Sequence, residues 1–300
     1  MYPVGVRVEV LAKFSLLSIL WGLSFLLVLR VVDGFGWVGA VCIRSFIASG
    51  TLLLISLIAR RRLDFSIGIK PFAVVGATTV CLQLIGFSIA IPRIGTALTA
   101  IIVGAIPLFS ALIGKIMKIE TITKLGFVGL IIGFFGIVLL VGFPHGQLSN
   151  DFFLGIAVSV VGCIAAAFGS NYAKLKMEQV GTWEQAIGAF FFGGLFTLPL
   201  LFFVPFQREL IVTDWLYIIS LAILCSSLCY VIYFSLVVEV GATRAISVEF
   251  MVTVIAVLIG AIYLKELITP IQLLGGVMVL IGCSLILELV GGSKKSAKLI

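Results

Sequence analysis

Seven of the polar and aromatic side chains within the apolar stretches of this chain are the residues best suited to bind a ligand. Arg44 can hold a carboxylate through two parallel hydrogen bonds from its planar guanidinium. Glu249 can accept an ammonium group or exchange a proton. Charged groups in apolar segments cost free energy and usually face a cavity or a partner. One cation and one anion of this kind predict a site for a zwitterion such as an amino acid.

Both charged residues also have a structural interpretation. Arg44 can extend to a lipid–water interface or satisfy the end of a broken helix. Glu249 can extend to the opposite interface or pair with Arg244. The sequence leaves these alternatives open.

Five further candidates are uncharged. Gln83 lies near the centre of an apolar segment, and Thr78 lies about one turn away. Trp21, Ser24 and Tyr230 offer aromatic faces and hydroxyl groups suited to a ligand with an apolar side chain. Packing between helices or anchoring at the membrane interface is the alternative for the aromatic residues.

Pro107 is a candidate for gating, because a proline within a helical segment removes one backbone hydrogen bond and favours a kink. Its counterpart in the second half of the chain is Thr253. The kink therefore has two interpretations, as a bending point that moves during function or as a fixed bend.

Apolar helices must position these residues. Apolar residues form 62% of the 300 residues, against roughly half in soluble domains, and charged residues form only 11%. Ten segments are close to the roughly 20 residues that a helix needs to cross the hydrocarbon core. The sequence therefore predicts an all-α integral membrane protein with spans at 13–32, 36–59, 71–91, 94–117, 123–142, 152–173, 182–204, 213–238, 243–263 and 270–290.

The second half of the chain matches the first at an offset of 146 residues. Gly95 aligns with Gly241, Gly129 with Gly275, and Ser24 with Ser170. The halves, 1–146 and 147–300, are therefore predicted to be two five-helix repeats. Because five is odd, the second repeat starts on the opposite side of the membrane and is inverted. Inverted repeats form a central site near mid-membrane that opens alternately to either face.

The distribution of Lys and Arg predicts the orientation. If the N-terminus is cytoplasmic, 15 of the 20 basic residues fall in inner loops and tails, and four fall in outer loops. Ten spans then place the C-terminus in the cytoplasm as well. We expect a multi-pass protein of the cytoplasmic (inner) membrane. The net charge of +7 therefore reflects orientation, and no nucleic-acid partner is expected.

The sequence does not contain the residue patterns that several kinds of chemistry require. The six cysteines all lie within predicted spans, without Cys-x-x-Cys spacing, and are interpreted as small apolar packing residues. His145 is the single histidine and lies in a predicted outer loop beside turn residues. No Gly-x-x-x-x-Gly-Lys-Ser/Thr segment exists that would bind ATP phosphates. We therefore expect no metal, no cofactor and no enzymatic activity.

Several motifs resemble the drug/metabolite transporter superfamily. They are the segment Trp21-Gly22-Leu23-Ser24-Phe25, Gly95-Thr96-Ala97 at the start of the fourth span, and Lys265-Glu266 before Thr269-Pro270. Within that superfamily the chain is similar to the EamA-type ten-helix exporters, and particularly to bacterial YddG-like exporters of aromatic amino acids. The resemblance implies a bundle around a central cavity, with the fifth and tenth helices packed towards the back.

The function expected from these observations is secondary transport by alternating access. The expected substrates are amino acids with aromatic or hydrophobic side chains, or related small metabolites, and the expected direction is export. Proton coupling would require a titratable group in the cavity, and Glu249 is the candidate. Membrane lipid and a small-molecule substrate are the expected partners. The alternatives are a multidrug or other metabolite exporter of the same fold and, less favoured, an integral-membrane enzyme.

Overall fold

The chain folds into helices throughout the part that the computed structural model describes, residues 4–119, 122–141, 149–264 and 269–287. No strand occurs within these ranges, which confirms the predicted all-α fold. The α-helices are α1 Val4–Ile58, α2 Ile69–Val75, α3 Gln83–Val103, α4 Ile106–Ile116, α5 Lys124–Val141, α6 Asn150–Lys176, α7 Thr182–Thr197, α8 Val212–Ala222, α9 Cys229–Val240, α10 Ala242–Ile246, α11 Val248–Leu264 and α12 Pro270–Ile286.

Shorter helical turns of other kinds join some of these helices. Two π-helical turns, π1 (Gly76–Leu82) and π2 (Ile223–Leu228), connect α2 to α3 and α8 to α9. A 3-10 turn over Leu198–Phe202 extends α7. These additions make long continuous rods from shorter α-helices.

The apolar character of these rods fits a membrane. Among the described residues, five helical stretches are long and apolar enough to cross a membrane, with mean hydropathies of 1.7 to 2.3: Leu26–Ile58, Ile69–Gly95, Asn150–Lys176, Thr182–Phe202 and Val212–Val240. Three shorter apolar helices accompany them, at Ile101–Ile116, Lys124–Leu140 and Pro270–Ile286.

Three glycines turn the chain sharply from one rod to the next. Gly36 divides α1, Gly95 divides α3, and Gly241 separates α9 from α10, with φ angles of 70°, 78° and 93°. Glycine adopts these left-handed values without the steric cost that a side chain brings. Gly36 and Gly95 lie at the starts of the second and fourth predicted spans, and Gly241 lies between the eighth and ninth.

Local irregularities recur at the spacing of the sequence repeat. The left-handed glycines Gly95 and Gly241 are 146 residues apart. The π turns begin at Gly76 and Ile223, which are 147 residues apart. The boundary between the halves stays a prediction, because residues 142–148 lie outside the described ranges.

Helices α5 and α12 pack against each other through glycines. A Cβ atom added to Gly282 would lie 2.7 Å from the carbonyl oxygen of Gly129 and 2.7 Å from the Cα of Gly133. One added to Gly136 would lie 2.8 Å from the amide nitrogen of Val279. The two backbones therefore approach more closely than side chains permit, as small residues allow in membranes.

We predict that Gly282→Ala lowers the free energy of unfolding by about 1–3 kcal/mol, because its new methyl group meets backbone atoms that cannot rotate away. Gly276→Ala is the matched control in the same helix, since among the described residues its Cβ would meet only Leu140 Cδ1, at 3.8 Å. Thermal unfolding of both variants in detergent measures the difference. Equal unfolding temperatures would contradict the packing argument.

Candidate functional site

A cavity of about 80 Å³ lies among α1, α3, α9 and α11. Phe87, Ser88, Val103 and Val252 contribute to its wall. The structure brings six of the seven predicted binding residues to this cavity: Trp21, Ser24, Arg44, Gln83, Tyr230 and Glu249. Residues up to 228 positions apart in the chain, Trp21 and Glu249, therefore share one site.

Arg44 supplies the cationic part of the cavity. Its side chain is buried, with 7% of its surface exposed, and its Nε donates a hydrogen bond to Ser226 Oγ. Within the described part of the chain, no acceptor pairs with Nη1 or Nη2 and no carboxylate forms an ion pair with Arg44. The two terminal amino groups therefore keep their donor capacity for a ligand.

Glu249 and Gln83 supply acceptor groups. Both are buried, at 6% and 8% exposure. Among the described residues, neither the Glu249 carboxylate nor the Gln83 carboxamide forms a hydrogen bond, and Glu249 has no ion-pair partner, Arg244 included. A buried polar group without a partner costs free energy. Such groups on a cavity wall are suited to bind a polar ligand.

Aromatic rings form a rigid wall beside these polar groups. Trp21 contacts Tyr230 and Tyr233, with ring centroids 5.8 and 5.5 Å apart. Its Nε1 donates a hydrogen bond to the carbonyl oxygen of Cys225 at 3.1 Å. The Tyr230 hydroxyl donates to the carbonyl oxygen of Thr79 at 3.1 Å. With their polar atoms fixed, the rings present apolar faces that can pack against a ligand.

The two π turns place several of these residues. Gln83 follows π1 directly, and Tyr230 lies two residues beyond π2. Within π2, the carbonyl of Cys225 accepts the Trp21 hydrogen bond and Ser226 accepts the one from Arg44. Wide π turns are frequent at functional sites in helical proteins.

Sequence reasoning missed Phe87 and Ser88, which line the cavity, and Ser226, which contacts Arg44 from outside the lining. Phe87 and Ser88 lie one turn or slightly more beyond Gln83 in α3, so helical periodicity from Gln83 is a signal that finds them. Ser226 has no comparable signal. Its role depends on a π turn that composition does not reveal.

Thr78 and Pro107 lie outside the cavity lining. The Thr78 hydroxyl donates to the carbonyl of Val74 at 2.8 Å, and a Cβ on Gly169 would meet the Thr78 side chain. Pro107 is the second residue of α4, just after the break between α3 and α4. Proline is well suited to the first turn of a helix, so it marks the start of α4.

Some predicted features fall outside the described residues. They are His145 and the Lys265-Glu266 pair. Among the residues that are described, no group of three or more His, Cys, Asp or Glu side chains is arranged to hold a metal ion.

A buried polar layer lies at the ends of helices predicted to be cytoplasmic. The Asn171 side-chain amide donates to Ser110 Oγ at 2.9 Å, and the hydroxyl groups of Ser110 and Thr243 share a hydrogen bond at 3.0 Å. Ser170 bonds to Tyr233. The layer links α4, α6, α9 and α10. Thr243 also lines a crevice of about 260 Å³ with Lys174, Glu239 and Arg244 among its walls.

Ionic contacts join helix ends on both sides. Lys13 forms an ion pair with Glu239, which connects α1 to α9. At the predicted outer side, Arg208 donates two hydrogen bonds to Asp214, at 2.7 and 2.8 Å, and two to Asp33, at 3.3 and 3.4 Å. The Asp214 hydrogen bonds raise the pKa of Arg208 above its ordinary value. These contacts connect neighbouring helix ends on each side of the bundle.

Comparison with known proteins identifies the family to which this chain belongs. The model of the EamA-like transporter family matches the chain twice, over residues 11–142 and 153–288. The chain therefore belongs to the EamA-like transporter family, within the drug/metabolite transporter superfamily predicted from its motifs. With its long apolar helices, it is a multi-pass membrane protein and a membrane transporter.

Individual relatives agree with this assignment. An uncharacterized transporter from Archaeoglobus fulgidus is 24% identical over 89% of this chain and 95% of its own length. The uncharacterized transporter YdfC of Bacillus subtilis is 24% identical over 90% of this chain and 88% of its own length. The uncharacterized inner membrane transporter YedA of Escherichia coli is 28% identical over 57% of this chain and 55% of its own length.

A solved structure shares the fold. A crystal structure superposes on this chain with a TM-score of 0.78 at 13% identity, covering 94% of this chain and 97% of the other. At that identity the likeness shows the fold alone.

We predict that Gln83→Leu lowers the transport rate at least severalfold while the unfolding temperature stays the same or rises. The reason is that leucine removes a carboxamide that has no described partner in the folded protein. Thr78→Val is the matched control, because Thr78 bonds to its own helix away from the cavity and valine has nearly its shape. Transport assays and thermal unfolding of both variants test this. Equal transport by the two variants would contradict the placement of Gln83.

Proposed function

We propose that this protein is a secondary transporter that exports amino acids with aromatic or hydrophobic side chains, or related small zwitterions, by alternating access. The observation that carries the proposal is the convergence of Arg44, Gln83 and Glu249 on one cavity with an aromatic wall. Each of the three keeps polar atoms without a protein partner among the described residues.

The chemistry of the wall favours a ligand with two charged groups and an apolar part. The terminal amino groups of Arg44 suit a carboxylate, which can accept two parallel hydrogen bonds. The carboxylate of Glu249 suits an ammonium group, with Gln83 as a further donor or acceptor. Trp21 and Tyr230 suit an aromatic or aliphatic side chain through their ring faces.

The size of the cavity supports a transporter that changes conformation. Ligand pockets usually have volumes of about 300–1,000 Å³, which is several times the volume of this cavity, about 80 Å³. An amino acid therefore requires this cavity to expand. The Lys13–Glu239 and Arg208–Asp33 contacts bridge helix ends on either side of it, and their separation would open one side at a time.

Orientation is part of the proposal. Fifteen of the 20 basic residues lie in loops and tails that are inner when the N-terminus is cytoplasmic. This bias supports cytoplasmic N- and C-termini in the cytoplasmic membrane. Export then means movement from the side of Lys13 and Lys174 to the side of Arg208.

The test is counterflow in liposomes that contain the purified protein, with a panel of amino acids, the amines that correspond to them without the carboxylate, and cationic drugs. We expect exchange of aromatic or hydrophobic amino acids. Arg44→Ala should reduce their kcat/KM at least tenfold, since a bidentate hydrogen-bonded pair is lost. Exchange of cationic drugs alone, or full amino-acid exchange by Arg44→Ala, would contradict the proposed substrate.

Proton coupling through Glu249 gives a separate prediction. A pH gradient, acidic outside, should drive export by the wild-type protein if Glu249 carries a proton inward. Glu249→Gln keeps the size of the side chain but cannot exchange a proton, so gradient-driven export should be lost while any remaining exchange becomes independent of pH. Gradient-driven export that persists in this variant would exclude Glu249 as the proton carrier.

A further inference from the structure

We propose that Ser226 is a specificity-determining positioning residue, which holds the Arg44 guanidinium so that only its Nη1–Nη2 edge is presented to a carboxylate. This inference rests on the proposed function, in which Arg44 binds the substrate carboxylate. Ser226 itself lies outside the lining of the cavity, so it acts through Arg44.

The hydrogen bonds around Ser226 give its hydroxyl group a fixed direction. Ser226 Oγ donates its hydrogen to the carbonyl oxygen of Leu221 at 3.1 Å. Its lone pairs are then available to accept the hydrogen bond from Arg44 Nε. Ser226 is fully buried and Arg44 nearly so, which leaves water little access to compete for this contact.

The π2 turn makes this direction possible. A serine in an ordinary α-helix bonds to the carbonyl three or four residues earlier. Ser226 instead bonds to Leu221, five residues earlier, within the wide turn. The hydroxyl is therefore held by the irregular backbone in a direction that a regular helix does not provide.

The consequence for Arg44 is stereochemical. A guanidinium can bind a carboxylate in two bidentate ways, through Nε with one Nη or through both Nη atoms. Ser226 occupies Nε, so the pair of terminal amino groups is the edge that remains. Fixing a long side chain in advance also reduces the entropy that binding would otherwise cost. Both effects favour substrates with a carboxylate over those without one.

Ser227 is a matched control. It is the next residue in the same turn, is buried, and bonds to the carbonyl five residues earlier, that of Ala222 at 3.0 Å. The carbonyl oxygen of Ala48, one turn from Arg44 in the same helix, is a second acceptor at 3.1 Å for the single hydroxyl hydrogen of Ser227. Ser227→Ala therefore perturbs the turn and the helix that carries Arg44 without removing the hydrogen bond to the guanidinium.

The experiment compares transport of an amino acid with transport of the amine that lacks its carboxylate, in liposomes with each purified variant. The readout is carboxylate preference, the ratio of the two kcat/KM values. We expect Ser226→Ala to lower this preference about tenfold, the usual effect of losing a hydrogen bond to a charged group. Ser227→Ala should leave it unchanged, and Ser226→Thr should restore it. Thermal unfolding of every variant checks that each one folds.

Arg44→Ala separates failure of this inference from failure of the proposed function. If Arg44→Ala keeps the carboxylate preference, Arg44 does not bind the carboxylate and the proposed function is wrong in this respect. If Arg44→Ala loses the preference and Ser226→Ala keeps it, only the role of Ser226 is wrong. An equal loss in Ser226→Ala and Ser227→Ala would also overturn the inference, since it would reflect the packing of the turn.

Discussion

The structure depends on the constraint that polar groups within a membrane must find partners inside the protein. Many buried hydroxyl groups of this chain satisfy this constraint with a hydrogen bond to a carbonyl oxygen of their own helix. Ser45 and Thr79, for example, donate to carbonyl oxygens one turn earlier in their own helices. Arg44, Gln83 and Glu249 keep groups that no described residue satisfies, and all three face the same cavity. A substrate in this cavity would supply the missing partners.

Irregular backbone is what brings these groups together. The left-handed glycines Gly95 and Gly241 turn the chain at related places in the two halves, and a π turn interrupts each half at a similar position. A π turn shifts the faces of the helix on either side of it, so that Gln83 and Tyr230 can share a cavity. Irregular helix geometry inside a membrane is tolerated where it lines a cavity or is buried in protein.

The helices and most of the cavity could be predicted because hydropathy and polarity carry strong signals in a membrane. An apolar run of about 20 residues has few alternatives to a spanning helix, and a buried Arg44 or Glu249 stands out against it. Thr78 shows the limit of this reasoning, because a hydroxyl can bond to its own helix and then needs no cavity. Ser226 shows a second limit of prediction from sequence. Its contact with Arg44 depends on a π turn, and the residue types of Ile223–Leu228 do not indicate that turn.

In the proposed transport function, the unpartnered groups of Arg44 and Glu249 receive the two charged ends of one substrate. Its most direct test is an electron cryomicroscopy structure of the protein in lipid nanodiscs with a transported aromatic amino acid. We expect the ligand carboxylate at the terminal amino groups of Arg44, the ammonium group at Glu249, and the side chain against Trp21. Ligand density in the crevice beside Lys174 and Arg244, with the central cavity still contracted, would contradict the account.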